Sequence, residues 1–253
     1  MRYYTTFFKK EFMESIRVYR LFILVIVFFI FGVMSPVIAK LTPELLSSLA
    51  SEFKITVPEP TAIDSWVQFF TNVTQLGLIT LAIIFSGTVS SELSKGTLVI
   101  LLTKGMPRSA VILSKLSCAA LLWTISLLLS FFVNLGYTIY LFPSDEVINL
   151  AFSVFCLWVF GIFLLSLLYF FAALVKSSYI CLLLTGSGIV ILTLMNLVSK
   201  LKKYNPYTLI TENVNLLTNQ TKVSELYYAL GIGTTLSCIF VTASVLLFKR
   251  RQM

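Results

Sequence analysis

The stretch LFILVIVFFIFGVMSPVIA (residues 21–39) contains no charged side chain and is almost entirely apolar. A transmembrane α-helix needs about 20 mostly apolar residues to cross the hydrocarbon core of a bilayer. Further uncharged runs follow at residues 66–91, 116–142, 147–175, 177–199 and 226–248. The sequence therefore predicts an all-α integral membrane protein with six spans, at residues 21–39, 73–91, 116–142, 147–175, 177–199 and 226–248.

The composition supports this fold class. Of the 253 residues, 58% are hydrophobic and 12% are charged, whereas soluble domains average about 45–50% apolar and about 25% charged residues. The runs are solidly apolar and do not alternate in polarity as the strands of a membrane β-barrel do. The first run follows five basic residues and no cleavage site follows it, so we expect it to remain as an anchor.

The distribution of lysine and arginine predicts the orientation, because short cytoplasmic loops are enriched in them. With both termini in the cytoplasm, 13 of the 19 basic residues lie on the inner side. Residues 40–72 and 200–225 then form outer loops, the second with four lysines. A five-span alternative merges the fourth and fifth runs, but residues 147–199 would make a helix of roughly 80 Å. A turn near Lys176 is therefore predicted.

The first 20 residues predict an amphipathic helix that lies in the inner membrane interface. The residues that recur at helical spacing are Tyr4, Phe8, Phe12, Ile16 and Tyr19, whereas Lys10, Glu14 and Arg17 fall on the other side. The alternative is a merely basic flank that fixes the orientation of the first span.

The segment SSELSKGTLVILLTKGMPRSAVILSK (residues 90–115) interrupts two long apolar runs with basic residues and glycines. Gly96 and Gly105 frame a short apolar run, and Pro107 separates that run from the next span because it disfavours helix in the residue before it. The pattern predicts a short, half-apolar helix at the cytoplasmic face. An ordinary basic loop is the alternative.

In this segment the sequence resembles the permease subunits of ABC transporters of the type 2 exporter class. The resemblance is carried by Glu92, the pair Gly96 and Thr97, the run from Leu98 to Leu102, the turn Pro107-Arg108-Ser109, and Lys115. It implies that residues 92–115 form a coupling segment seated in a cleft of a separate ABC ATPase. The residues expected to contact the ATPase are Glu92, Lys95, Gly96, Thr97, Leu98, Leu101, Leu102, Lys104, Pro107 and Arg108.

No catalytic machinery is evident in the sequence. The chain has no histidine and no G-x-x-x-x-G-K-[ST] motif, and its four cysteines lie in apolar runs without metal-ligand spacing. We expect no enzyme activity, no metal site and no cofactor in this chain. ATP and Mg²⁺ are expected in the partner ATPase. The other partners implied by the resemblance are a second permease copy or a paralogue and membrane lipids, but not nucleic acid.

The spans carry hydroxyl and amide side chains rather than charges, which disfavours ion-coupled transport. Thr80, Ser86, Asn134 and Asn196 are candidates for a substrate path, although such residues also hold helices together. Aromatic and hydroxyl groups suit an amphipathic or hydrophobic substrate, such as a peptide, an antibiotic or a lipid. The resemblance further implies that residues 200–225 re-enter the membrane and cap the path; an irregular surface loop is the alternative. The predicted function is an exporter permease in a bacterial plasma membrane, and the alternative is a non-transporting scaffold or sensor.

Overall fold

The computed structural model describes residues 2–49, 59–94, 107–143 and 147–250, and over these ranges the chain is helical and without strands. In chain order the elements are α1 (Arg2–Arg17), α2 (Arg20–Leu49), α3 (Ala62–Asn72), a π-helical turn (Val73–Gly77), α4 (Leu78–Ser94), α5 (Arg108–Leu141), α6 (Leu150–Leu174), α7 (Ser178–Asn196), α8 (Ser199–Lys202), α9 (Thr208–Thr211), α10 (Asn213–Leu217), a 3₁₀ turn (Val223–Leu226) and α11 (Tyr227–Arg250).

Six stretches of the described chain are long and apolar enough to cross a membrane, which confirms the predicted number of spans. They are Arg20–Pro43, Ala62–Ser90, Ser109–Leu141, Leu150–Leu174, Ser178–Asn196 and Val223–Lys249. The backbone is extended at Val175, between α6 and α7. The five-span alternative, which needs one continuous helix there, is therefore wrong.

The second span begins eleven residues earlier than predicted, because residues 62–72 form α3 instead of the end of an outer loop. Asp64 suggested a loop by its charge, but it starts the helix. Its carboxylate accepts hydrogen bonds from the backbone N–H of Thr61 at 2.8 Å and from the Thr61 hydroxyl at 2.9 Å. The negative charge of an acidic residue in the first turn of a helix also interacts favourably with the positive end of the helix dipole. On the other side of this predicted loop, α2 continues to Leu49.

The third span also begins early. The prediction placed residues 92–115 outside the membrane helices, but α5 starts at Arg108 and Lys115 is 2% exposed inside it. Helix α5 therefore contains a buried ammonium group two turns from its start. Residues 200–225, predicted as a loop, contain α8, α9, α10 and most of the 3₁₀ turn.

Helix α6 lies at the centre of the bundle and packs against α4, α5, α7 and α11. Of the apolar stretch of α6 that could cross the membrane, 72% is buried, whereas only 11% of the corresponding stretch of α7 is buried. A helix that is apolar all round is expected in such a position. Gly161 permits the close approach of α5, because a Cβ atom there would lie 2.3 Å from the Trp123 ring.

The bundle has two distinct ends. At the first, called the α1 end, α1 packs on the start of α5 near the last turns of α4 and α6. At the opposite end, Ser65 of α3 hydrogen-bonds Thr138 of α5 at 2.7 Å, and Ser153 of α6 contacts the backbone of Asn213. Residues 197–222 therefore lie at the end away from α1.

Candidate functional site

The predicted coupling segment is flanked by two long helices at the α1 end. Glu92 lies in the last turn of α4, Pro107 is the residue directly before α5, and Arg108 is the first residue of α5. The intervening candidates lie outside the described residues: Lys95, Gly96, Thr97, Leu98, Leu101, Leu102 and Lys104. The described part of this segment is therefore its two ends, which belong to α4 and α5.

A buried ion pair joins α1 to α5 at this end. The Nζ of Lys115 lies 2.8 Å from Oε2 of Glu11, and the two side chains are 1% and 3% exposed. The other carboxylate oxygen of Glu11 accepts a hydrogen bond from Lys10 at 2.9 Å. The ring of Phe7, one turn before Glu11, lies 5.8 Å from the Lys115 ammonium. Both charges are thus enclosed between the two helices.

The face of α1 that packs against the bundle lies beside the apolar stripe predicted to enter the membrane interface. The side chains of Tyr4, Phe8, Phe12 and Ile16 are half-buried, and Tyr19 is exposed in a left-handed conformation beyond the helix. The fully buried residues are Phe7, Glu11 and Ser15. Sequence reasoning missed Glu11, although an acidic residue within an apolar stripe is a detectable signal.

Two further hydrogen bonds extend the contact to α6 and α4. The hydroxyl of Tyr169, a buried residue of α6, donates to the backbone carbonyl of Lys115 at 3.2 Å. The hydroxyl of Thr88 in α4 contacts the Tyr169 oxygen at 3.2 Å. Four helices are therefore joined by one residue from each, and we call this group the polar junction: Glu11, Lys115, Tyr169 and Thr88.

A cavity of about 420 Å³ lies between α4, α6, α7 and α9. Most of its wall is apolar, with Ile79 and Phe160 among the lining residues. The polar exceptions include Thr74 and Gln75, which the π-helical turn presents, and Tyr207. The Thr74 hydroxyl oxygen is buried and has no hydrogen-bond partner among the described residues. π-Helical turns occur frequently at functional sites, and this cavity has the size of a ligand pocket.

The four predicted path residues occupy different surroundings. Thr80 and Ser86 donate to carbonyl groups of their own helix, at Leu76 and Ile83. Asn134 is completely buried, and in the part of the chain that the structure describes its amide has no hydrogen-bond partner. Asn196 accepts a hydrogen bond from Thr208 at 2.9 Å. Within the described part of the chain, none of the four lines the cavity.

Residues 197–222 fold back onto the membrane helices. The Tyr207 ring contacts the ring of Phe160, with 6.1 Å between centroids. Phe160 is ten residues into α6, which corresponds to a depth of about 15 Å. The Asn205 amide donates to the carbonyl of Leu192 at 2.6 Å, and Leu209 is completely buried. The segment thus re-enters the bundle, where Tyr207 forms part of the cavity wall.

Glu212 holds the far part of this segment together. Its carboxylate pairs with Lys202 and accepts hydrogen bonds from Asn215 at 2.7 Å and Thr221 at 2.9 Å. Burial alone would raise the pKa of Glu212, but these three donors lower it below its ordinary value. The carboxylate therefore stays charged and fixes the position of three surrounding side chains.

A comparison with protein families adds the identity of this helical bundle. Residues 5–253 match the family model described as ABC-2 family transporter protein. The chain belongs to the ABC-2 transporter family. No curated protein matches it significantly.

Membership in the ABC-2 family confirms the predicted resemblance and makes the chain a membrane permease subunit of an ABC transporter. Permease subunits of this family are typically non-catalytic, and a separate ABC ATPase subunit supplies the hydrolysis. The six apolar helices agree with a multi-pass membrane protein.

Proposed function

We propose that this permease works in an ATP-driven exporter and that its substrate is amphipathic or hydrophobic, such as a peptide, an antibiotic or a lipid. The observation that carries the substrate class is the cavity wall. It is apolar over most of its area and carries a small number of polar groups, among them the unpartnered Thr74 hydroxyl. Such a wall favours a molecule with a large apolar body and a few hydrogen-bonding groups.

The position of the cavity supports its role in a path. At the α1 end, α4 and α7 are close together, since a Cβ atom on Gly87 would lie 3.3 Å from the Ser178 hydroxyl. Further toward the opposite end the same helices separate around the cavity, and Tyr207 of the re-entrant segment contributes to its wall. A tilt of α4 about the contact at Gly87 would therefore widen or narrow the cavity.

The energy for that movement comes, in this proposal, from the segment that follows α4. Residues 92–108 act as the coupling segment in a cleft of the ATPase, which binds ATP and Mg²⁺. The proposed contacts are those predicted from the sequence, with an apolar ridge at Leu98, Leu101 and Leu102. A rigid helix with charged ends transmits a displacement when its socket closes.

The proposed assembly is two permease subunits, identical or paralogous, above two ATPase subunits in a bacterial plasma membrane. Only 11% of the apolar stretch of α7 and 17% of that of α11 are buried, so most of the surface of these two helices is open to lipid or to a second permease. Both termini lie in the cytoplasm in this proposal, because 13 of the 19 basic residues belong to the α1 end.

Co-purification and transport test the proposal together. A tagged permease purified in mild detergent from its own host is expected to bring an ATPase with a phosphate-binding loop. Reconstituted vesicles are then expected to move amphipathic fluorescent dyes or fluorescent phospholipids when Mg-ATP is added. In the variant Ala82→Trp, the new ring occupies space in the cavity, and transport is expected to fall about tenfold or more, since a loss of about 1.4 kcal/mol in substrate binding is a factor of ten.

Ala120→Trp is the matched control, because Ala120 is also a half-buried alanine of a membrane helix and does not line the cavity. Its transport is expected to remain near that of the unmodified protein. A permease that never co-purifies with an ATPase would favour the alternative of a non-transporting scaffold. Equal loss of transport in both variants would remove the cavity from the path.

A further inference from the structure

The polar junction connects the two helices that flank residues 95–106 to the rest of the protein. Thr88 lies six residues before Ser94, the end of α4, and Lys115 lies seven residues after Arg108, the start of α5. At 1.5 Å per residue both are about 10 Å from the ends of the segment. A displacement of the segment therefore reaches both residues through less than three helical turns.

The ion pair fixes the position of α1 on α5 more tightly than apolar packing alone. Apolar contacts are non-directional, whereas a charge-assisted hydrogen bond of 2.8 Å restricts both distance and direction. Two contacts beside it support the same alignment, from the Ser114 hydroxyl to the carbonyl of Tyr4 and between Ser15 and the Cys118 sulfur. Helix α1 must therefore follow the first turns of α5 when they move.

A buried ion pair is a weak explanation of stability, because a well-packed apolar pair of similar volume often stabilises a protein equally well. Its best-attested use is to specify one alignment of two elements. Here the backbone carbonyl of Lys115 also accepts a hydrogen bond from Tyr169, whose oxygen contacts Thr88. Lys115 therefore links the ion pair to two further helices, through its backbone and not through the carboxylate.

We infer that Glu11 and Lys115 are positioning residues of the transport cycle, which transmit a movement of the start of α5 to α1, while Tyr169 transmits it to α6. The inference rests on the proposed function, since it needs an ATPase that moves the segment. Helix α1 then acts as a moving lever at the membrane surface and is more than a passive anchor. Tyr169 carries the same movement to α6, which forms part of the cavity wall through Phe160.

The test follows the movement of α1 in the assembled transporter. After replacement of the native cysteines, the variant Met13→Cys carries a spin label on the exposed side of α1. The complex in lipid nanodiscs is trapped with ADP and vanadate, and the spectrum is compared with that of the nucleotide-free state. Trapping is expected to change the spectrum. In Glu11→Gln this change is expected to fall at least about twofold, while the ATPase stays bound.

Glu14→Gln is the matched control, since Glu14 is on the same helix and pairs with Lys10 at 2.6 Å but is not part of the polar junction. Its spectral change is expected to equal that of the parent. A double variant, Glu11→Gln with Lys115→Met, is the second test, because it removes both charges of the α1–α5 ion pair together. It is expected to reduce the change as well, and it decides the matter if Glu11→Gln fails to fold.

Several outcomes overturn the inference. These are an undiminished spectral change in Glu11→Gln, an equal loss in Glu14→Gln, or an undiminished change in the double variant where Glu11→Gln does not fold. A parent complex that hydrolyses ATP without any spectral change also overturns it and leaves the proposed function intact. If no ATPase co-purifies, the proposed function fails first and the inference falls with it.

Discussion

Glu212 shows how a single carboxylate stabilises an irregular segment within a membrane protein. Its side chain is 8% exposed, so the charge loses most of its hydration when the protein folds. Lys202, Asn215 and Thr221 replace that hydration with three contacts. Removal of a partner from such a buried polar group costs about 1–3 kcal/mol. The carboxylate therefore makes the fold of residues 197–222 sensitive to pH.

The pH dependence of stability checks this interpretation. Because the pKa of folded Glu212 is below its ordinary value, the folded protein binds the proton less readily than the unfolded chain. The stabilisation is complete above the ordinary pKa, near 4.5, and is lost as the pH falls through the lower folded-state value. The variant Glu212→Gln is expected to lose about 1–3 kcal/mol at neutral pH. Thermal unfolding in detergent, measured between neutral and acidic pH, gives both results.

Glu225→Gln serves as the control, because Glu225 is an exposed carboxylate in the same part of the chain. Its stability is expected to change by no more than about 0.5 kcal/mol. The interpretation is contradicted if Glu212→Gln retains the full acid sensitivity of the parent. Equal destabilisation in the two variants would contradict it as well.

At the same scale, the sequence predicts the type of each residue's surroundings better than its partner. The apolar stripe on α1 is visible in the sequence, and so is an acidic residue within it. That Glu11 meets Lys115, 104 residues later, depends on how α1 crosses α5. Likewise Asn134 is recognisable as a polar residue in a span, but its burial without a partner is a property of the packed helices.

Among the elements, the coupling segment gives the most specific prediction about binding of the ATPase subunit. If residues 98–102 form an apolar ridge in the ATPase cleft, a carboxylate placed there would be buried without a partner. Such a change costs several kcal/mol. Leu101→Asp or Leu102→Asp, whichever side chain faces the cleft, is therefore expected to reduce the amount of co-purified ATPase more than tenfold. Quantification of both subunits after detergent purification is the measurement.

Ser48→Asp provides a comparison with an added carboxylate in α2, on the side of the membrane away from the proposed ATPase. This variant is expected to bind the ATPase as the parent does. Normal subunit ratios and normal ATP hydrolysis in both leucine variants would mean that the connection between α4 and α5 does not couple the permease to an ATPase.

The existence of the long helices follows from the sequence, whereas their ends depend on local chemistry that charge alone misrepresents. Asp64 begins α3 although it resembles a loop residue, and Lys115 lies inside α5 because Glu11 compensates its charge. The residue types in the π-helical turn at Val73–Gly77 do not distinguish it from an ordinary α-helix. It nevertheless presents Thr74 to the cavity, and the sequence therefore could not identify that part of the candidate site.

For the whole molecule, the break between α6 and α7 determines which end each loop occupies. Because α7 returns across the bundle, Lys176 belongs to the α1 end and residues 197–222 lie at the opposite end. Four lysines, Lys200, Lys202, Lys203 and Lys222, therefore lie on the side with fewer basic residues. Lys202 is neutralised by Glu212, and the Lys203 ammonium lies 4.3 Å from the centre of the Tyr228 ring. Because the charges of Lys202 and Lys203 are compensated in this way, the segment departs less from the enrichment of basic residues in cytoplasmic loops than its number of lysines indicates.

Cysteine accessibility in intact cells decides the orientation of the bundle. In a chain without its four native cysteines, Gln220→Cys at the opposite end is expected to react with a membrane-impermeant maleimide. Gln220 is exposed and avoids the left-handed backbone of Asn219. Lys176→Cys, exposed in the turn at the α1 end, is expected to react only after the membrane is permeabilised. That second reaction also proves that the site is reactive, so a lack of labelling in intact cells reports sidedness. The reverse pattern would place α1 and both termini outside, and an ATPase in the cytoplasm would then have no access to residues 92–115.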